Sequence, residues 1–254
     1  MSALLTPVVL VCNEEYWLPY VLEASRGHFE RYVIYDVGST DQTRRIIEWF
    51  RDTSPNVDFF VRLLPMCPPE VQGAFRNSMI AEARTPYYFI LDGDEIYPPT
   101  HYELLNCAAN KMRASVYERK LYGLVRRCEW TEDLTMLHGT QRNIPHHRIY
   151  QREAIWRGTH PGERPFFEQR PKCEQWFADI VCHHFHHPAR STKDEKVPGR
   201  AERKNQATYL RTPAVPVDLF SELPILQKRI EDFPVNPVLE EMQKRAHPFA
   251  RTAS

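Results

Sequence analysis

Tyr87-Tyr-Phe-Ile-Leu-Asp-Gly-Asp-Glu95 joins five consecutive apolar residues to a turn carrying three carboxylates. An uninterrupted apolar run of that length marks a strand buried on both faces, as in a parallel sheet. Thr85-Pro86 just ahead of it ends a helix predicted over 73–83, because the residue before a proline is driven out of helical geometry. Working back toward the N-terminus, Val57–Val61 reads as a strand. So does Tyr32–Tyr35, ended by Asp36, and so does Pro7–Cys12, followed by Asn13-Glu14-Glu15. Between them lie two helical patterns, one with Trp17, Tyr20, Val21 and Ala24, the other with Ile46, Ile47, Trp49 and Phe50. Four strands alternate with three helices, which predicts a parallel sheet with right-handed crossovers. The class is therefore α/β: a Rossmann-like, mostly parallel sheet flanked by helices. In such sheets ligands bind at the carboxyl ends of the strands. Asn13–Glu15, Asp36 and Asp92–Glu95 all fall at such ends and are predicted to converge.

The rest of the chain limits what this sheet serves. It has 254 residues, with 33 Lys+Arg against 33 Asp+Glu, so it is neutral overall. Neutrality argues against a protein that simply coats nucleic acid or anionic membrane. No apolar run approaches the ~20 residues of a membrane span, and no signal peptide is read, so a cytoplasmic protein without an integral membrane segment is expected. The six cysteines form no C-x-x-C pair and read as reduced thiols. Beyond residue 100 the pattern loosens. Ser115–Arg126 and His146–Gln151 read as strands, and eight of the 11 histidines lie between His138 and His187.

Asp92 and Asp94, two apart on a turn with Gly93 between, can hold one hard divalent cation, Mg²⁺ or Mn²⁺. Without a ligand the same turn only solvates a strand end. In Asp36-Val-Gly-Ser-Thr-Asp-Gln-Thr43, Ser39 or Thr40 is expected to cap the next helix, with Asp41 in its first turn. That leaves Asp36 free to accept hydrogen bonds from a base or ribose.

These four segments, Val-Cys-Asn-Glu-Glu15, Tyr-Asp-Val-Gly-Ser-Thr-Asp-Gln-Thr43, Gly-Ala-Phe-Arg-Asn77 and Phe-Ile-Leu-Asp-Gly-Asp-Glu95, resemble glycosyltransferase family 2 in order and spacing over about residues 6–100. Val37 replaces the second of the family's usual two aspartates. The resemblance implies the GT-A fold, in a domain over 1–212 with a nucleotide-binding half (1–100) and an acceptor-side half (101–212). A helical extension over 213–254 would follow. It also implies inverting transfer from a nucleoside-diphosphate sugar to a glycan, lipid-linked or other hydroxyl acceptor, a nucleic acid among them. Asn13, Glu15, Asp36 and Ser39 would border the nucleoside, and Arg76 the diphosphate. Asp92 and Gly93 would face ribose and metal, and Asp94 would ligate the metal. The Gln-x-x-Arg-Trp motif of processive relatives is absent.

An inverting transferase needs a general base on the acceptor side. Glu163 is the first choice, in a His160-Pro-Gly-Glu163 element resembling one found in part of the family; Asp179 and Glu129 stand behind it. The Val-Cys-His step of Val181-Cys-His-His-Phe-His-His187 resembles the family's late-strand histidine near the metal, which implies His183 as a metal ligand, with His184 as the alternative. On an extended strand His183 and Phe185 face one way, His184 and His186 the other. Arg190–Lys204 carries six basic residues and reads either as a solvated helix face or as a segment closing over diphosphate. Two rivals remain at this level. One is a catalytically inactive nucleotide-sugar or glycan-binding module. The other is a metal-dependent nucleotidyltransferase, which would place a glycine-rich basic loop where Asn13–Glu15 stand.

Overall fold

The computed structural model describes residues 4–114, 122–132, 134, 136–138, 144–158, 164–166, 174–197, 200, 214–216, 218–228, 230, 233 and 236–246. The first half follows the expected alternation: β1 (Leu5–Val11), α1 (Leu18–Ser25), β2 (Arg31–Val37), α2 (Thr43–Asp52), β3 (Asp58–Leu64), α3 (Gln72–Ala83) and β4 (Tyr87–Ile90). Then come β5 (Glu95–Ile96), α4 (Pro99–Ala114), β6 (Tyr122–Glu129), β7 (Met136–His138), β8 (Ile144–Gln151), β9 (Ile155–Arg157), β10 (Arg164–Phe166) and β11 (Glu174–His184). The chain continues through β12 (Ala214–Pro216), α5 (Leu219–Glu222) and α6 (Pro237–Ala246).

Eight strands form one sheet in the order β3-β2-β1-β4-β8-β6-β11-β5. The first four are mutually parallel. Beyond them the sheet is mixed: β8 runs antiparallel to both β4 and β6, β6 and β11 are parallel, and β5 is antiparallel to β11. Strand side chains alternate between two cores, as a doubly covered sheet requires. Val9, Val11, Tyr32 and Ile34 pack with Leu18, Val21, Ile46, Phe50 and Tyr102 of α1, α2 and α4. Val8, Val33 and Tyr35 pack with Met79, Ile80 and Ala83 of α3 on the opposite face. Helix α3 ends at Arg84 in left-handed geometry (φ 60°), immediately before Thr85-Pro86.

The chain after β11 returns across α1. Trp17 stacks on Phe185 with ring centroids 4.1 Å apart, and its indole N–H donates to the Ala189 carbonyl (2.8 Å). Leu219, Leu223, Leu226 and Leu239, all from the expected C-terminal extension, are buried in the same core as α1 and α2. Among the described residues no helix is long and apolar enough to cross a membrane, and the five described cysteines are free thiols.

Candidate functional site

The Asp-Gly-Asp turn leaves β4 at the carboxyl edge and feeds β5. Strand β5 pairs with the end of β11, Glu95 opposite His184 and Ile96 opposite His183. The Phe185 N–H also donates to the Asp94 carbonyl (2.8 Å). Two segments ninety residues apart in sequence are thereby locked together. Gly93 is required by space: a Cβ there would lie 2.8 Å from Glu14 Cγ and 2.9 Å from Val11 Cγ1.

Asp94, His184 and His186 each aim one ligand atom into a common space, all within 4.8 Å of one another. One carboxylate and two imidazoles can hold a divalent transition-metal ion. His184 is oriented from behind: its Nδ1 hydrogen-bonds Glu129 Oε1 (3.0 Å), while Nε2 faces Asp94 Oδ2 at 3.4 Å. A carboxylate on the far ring nitrogen is the usual support for a metal-binding histidine. Burial works against the charged ring, but Glu129 and Asp94 outweigh it and hold His184 up at about 10. Metal binding there must displace that proton. Burial likewise raises the Asp94 and Glu129 carboxyls, and their cationic neighbours more than reverse it. Arg190 and His184 hold Asp94 well below the usual carboxylate range, and His184 and Arg127 bring Glu129 down to about 2.

Guanidinium groups neutralise the acids of this site. Arg148 Nη2 donates to Asp92 Oδ2 (3.0 Å) and pairs with Glu95, and Arg76 Nη2 lies 3.7 Å from Asp92 Oδ1. The Arg76 guanidinium also covers the Trp156 ring at 5.1 Å. Arg190 grips Glu14 with two nitrogens, Nε to Oε2 at 2.8 Å, and its Nη1 reaches Asp94 Oδ2 at 2.7 Å. Arg200 donates to Glu14 Oε1 (2.6 Å), to the Asn13 and Cys12 carbonyls (2.6 and 2.8 Å) and to Asp194 (2.7 Å). Asp92, Gly93, Asp94, His184, His186 and these four arginines share the wall of one cavity of about 680 Å³, which Tyr150 and Trp156 also line.

The remaining nucleotide candidates form the scaffold beside this cavity. Asp36 Oδ1 accepts from the Gly38 and Ser39 N–H groups (3.1 and 3.0 Å) and from Arg44 Nε (3.0 Å), while its buried Oδ2 makes no hydrogen bond among the described residues. Ser39 and Thr40 do not cap α2. Ser39 Oγ accepts from the Asn13 N–H (2.9 Å) and the Thr40 N–H donates to Asn13 Oδ1 (2.8 Å), because Asn13 sits in left-handed geometry (φ 52°) and turns its polar groups toward them. Asp41 precedes the helix and accepts from the Thr43 N–H (2.9 Å). Glu15 is fully occupied by the Thr192 N–H (2.7 Å), the Gln42 N–H (3.1 Å) and Ser191. Glu15 therefore ties loops together, and its neighbour Glu14 faces the cavity.

Two candidates lie elsewhere. His183 points to the opposite face, where its Nδ1 accepts from Trp130 Nε1 (3.1 Å) and its ring borders a second cavity with Asp218 and Glu222. Strand alternation thus separates it from Asp94 and brings His184 there instead. Asp179 is exposed on β11 and does not line the main cavity. Glu163 is outside the described residues. Sequence alone does not single out His186, Arg148, Arg190 or Arg200 as site residues, and it gives Glu14 only as part of the Asn13–Glu15 segment expected there. The visible signals were the histidine run, the Arg-Ile-Tyr strand and the basic segment after 189.

Comparisons with known proteins bear on the fold and the family. No curated protein matches this sequence. Among solved structures, S. aureus TarS is similar, with 13% identity and a TM-score of 0.51 over 98% of this chain and 44% of that chain. TarS residues 1–349 in complex with UDP-GlcNAc show 16% identity and a TM-score of 0.51, covering 98% of this chain and 74% of that one. This chain thus spans less than half of the longer TarS chain. At these identities the likeness shows the fold, which is GT-A. The family description "Glycosyl transferase family 2" matches residues 7–185, from β1 to just past the paired histidines. The chain belongs to glycosyl transferase family 2.

Proposed function

We propose that this chain is an inverting glycosyltransferase, moving a sugar from a nucleoside-diphosphate sugar to an acceptor hydroxyl with a divalent metal at the Asp-Gly-Asp turn. One observation carries the reading. The Asp94–His184–His186 cluster opens into the same cavity as Asp92, Arg76 and Arg148, at the carboxyl edge of a GT-A sheet. Asp94, His184 and His186 would hold the metal, with Glu129 fixing the His184 ring. Bound there, the ion supplies positive charge beside the departing diphosphate. The chain's own groups do the rest. We assign to the nucleoside the buried Asp36 Oδ2, which makes no hydrogen bond among the described residues. Arg148 and Arg76 hold Asp92 toward the ribose side, and the guanidiniums around the cavity place fixed positive charge where negative charge develops on the departing diphosphate. Inversion needs a base that takes the acceptor proton as the hydroxyl attacks opposite the leaving group. We assign that base to Glu163, because Glu129 is committed to His184 and Asp179 faces solvent.

The test is a calorimetric titration of UDP, GDP, CDP and dTDP, with and without Mn²⁺, on wild type and Asp94→Ala. Metal-dependent binding of one nucleotide, lost in the variant, is expected. Absence of binding by every nucleotide with either metal condition overturns the reading.

A further inference from the structure

Arg190 stands where two demands meet. Its guanidinium pairs with Glu14 through two nitrogens and with Asp94 Oδ2 at 2.7 Å, the same carboxylate oxygen that faces His184 Nε2. Its side chain is largely covered, at 11% exposure, and its backbone is pinned at both polar groups. Its carbonyl accepts from the Tyr16 N–H (3.0 Å), and its N–H donates to Asp194 Oδ2 (3.1 Å). The neighbouring acids are matched with cations in the same way: Glu14 also with Arg200, Asp92 with Arg148 and Arg76, and Glu95 with Arg148. A divalent ion ligated by Asp94 therefore meets a guanidinium on that carboxylate, and it enters a site whose negative charge is already matched. Like charges that close together in a low-dielectric cavity repel strongly. An incoming diphosphate reverses the balance, since it carries the surplus negative charge that lets both cations remain.

We propose that Arg190 competes with the metal for Asp94 and so couples metal binding to diphosphate binding: each ligand is held weakly alone and firmly with the other. This rests on the metal and nucleotide reading above and adds the residue that makes the two interdependent. The coupling must be reciprocal, so the factor by which nucleotide tightens the metal equals the factor by which metal tightens nucleotide.

The experiment follows Mn²⁺ binding to the full chain by the electron paramagnetic resonance signal of free Mn²⁺. It is run with and without the tightest-binding of the four nucleoside diphosphates, on wild type, Arg190→Gln and Arg190→Lys. Wild type is expected to bind Mn²⁺ at least about tenfold more tightly when nucleotide is saturating. Arg190→Gln should bind Mn²⁺ alone about tenfold more tightly than wild type does and should lose most of the coupling, while Arg190→Lys should keep most of it. Should the Gln variant misfold, Arg190→Met retains the apolar stem and takes its place. Equal or weaker Mn²⁺ binding by the folded neutral variant overturns the proposal. So does wild-type binding of metal and nucleotide that is independent, although the transferase reading then stands. If wild type binds neither ligand, both fall.

Discussion

Gly93 has no room for a methyl group, because Glu14 and Val11 already occupy the place of its Cβ. Both neighbours are buried, and Glu14 is clamped by Arg190 and Arg200, so neither yields easily. Gly93→Ala is expected to cost about 1–3 kcal/mol of stability, the usual range for overpacking. A lower urea midpoint at unchanged m-value would register it. Glu129 acts through a different atom. It lies outside the proposed metal ligands but holds His184 Nδ1, so that Nε2 faces Asp94. Glu129→Gln should weaken Mn²⁺ binding about 10- to 100-fold, as losses behind a ligating histidine do, without removing a ligand. Mn²⁺ titration in the presence of nucleotide measures it. Unchanged affinity would mean that the carboxylate serves only the ion pair with Arg127.

Elements carry the site through their register. The early strands were legible because each is a continuous apolar run ending in a polar turn, and Tyr87–Leu91 and Asp92–Glu95 fell where expected. Asp92, Gly93, Asp94 and Arg76 reached the cavity for the same reason. What the residues alone did not reveal lies in long-range pairing. Whether His183 or His184 meets Asp94 depends on the pairing of β11 with β5, two residues long, and one residue of slip reverses the faces. Arg190 and Arg200 were read only as part of a basic run, because their partner Glu14 lies 176 and 186 residues away. Helix α1 has a similar remote tie. Glu23 pairs with Arg26 (2.7 Å) and with Lys228 of the C-terminal segment. Burial raises its carboxyl, but the two cations outweigh that and leave it below the ordinary 4.5. A carboxylate lowered on folding stabilises above its unfolded value, and that contribution fades as pH falls through the folded one. Glu23→Gln should therefore cost about 0.5 kcal/mol at pH 7, a surface-pair magnitude. The difference from wild type should vanish in unfolding experiments well below pH 4.5.

At the scale of the whole molecule, the C-terminal residues belong to the main core. Leu223 is fully buried with α1-side residues in the same cluster as Ile46 and Phe50. Leu223→Ala should destabilise the entire chain by about 2–5 kcal/mol. A single cooperative transition at lower temperature, seen equally by tryptophan fluorescence and far-UV circular dichroism, is the expected result; loss confined to a separate early transition would make the segment peripheral. The spacing of the ties also bears on synthesis. Asn236 Nδ2 donates to the Tyr16 carbonyl (3.1 Å) across 220 residues, and Arg200 reaches back to Cys12 across 188. Chains emerge from the ribosome at about 5–20 residues per second, N-terminus first. A nascent chain ending near Glu95 thus holds Glu14, Asp92 and Asp94 for many seconds before Arg148, Arg190 and Arg200 exist to neutralise them. During that interval the carboxyl edge of the sheet must stay wet and open, and the cavity wall closes only after Arg190 and Arg200 have been made.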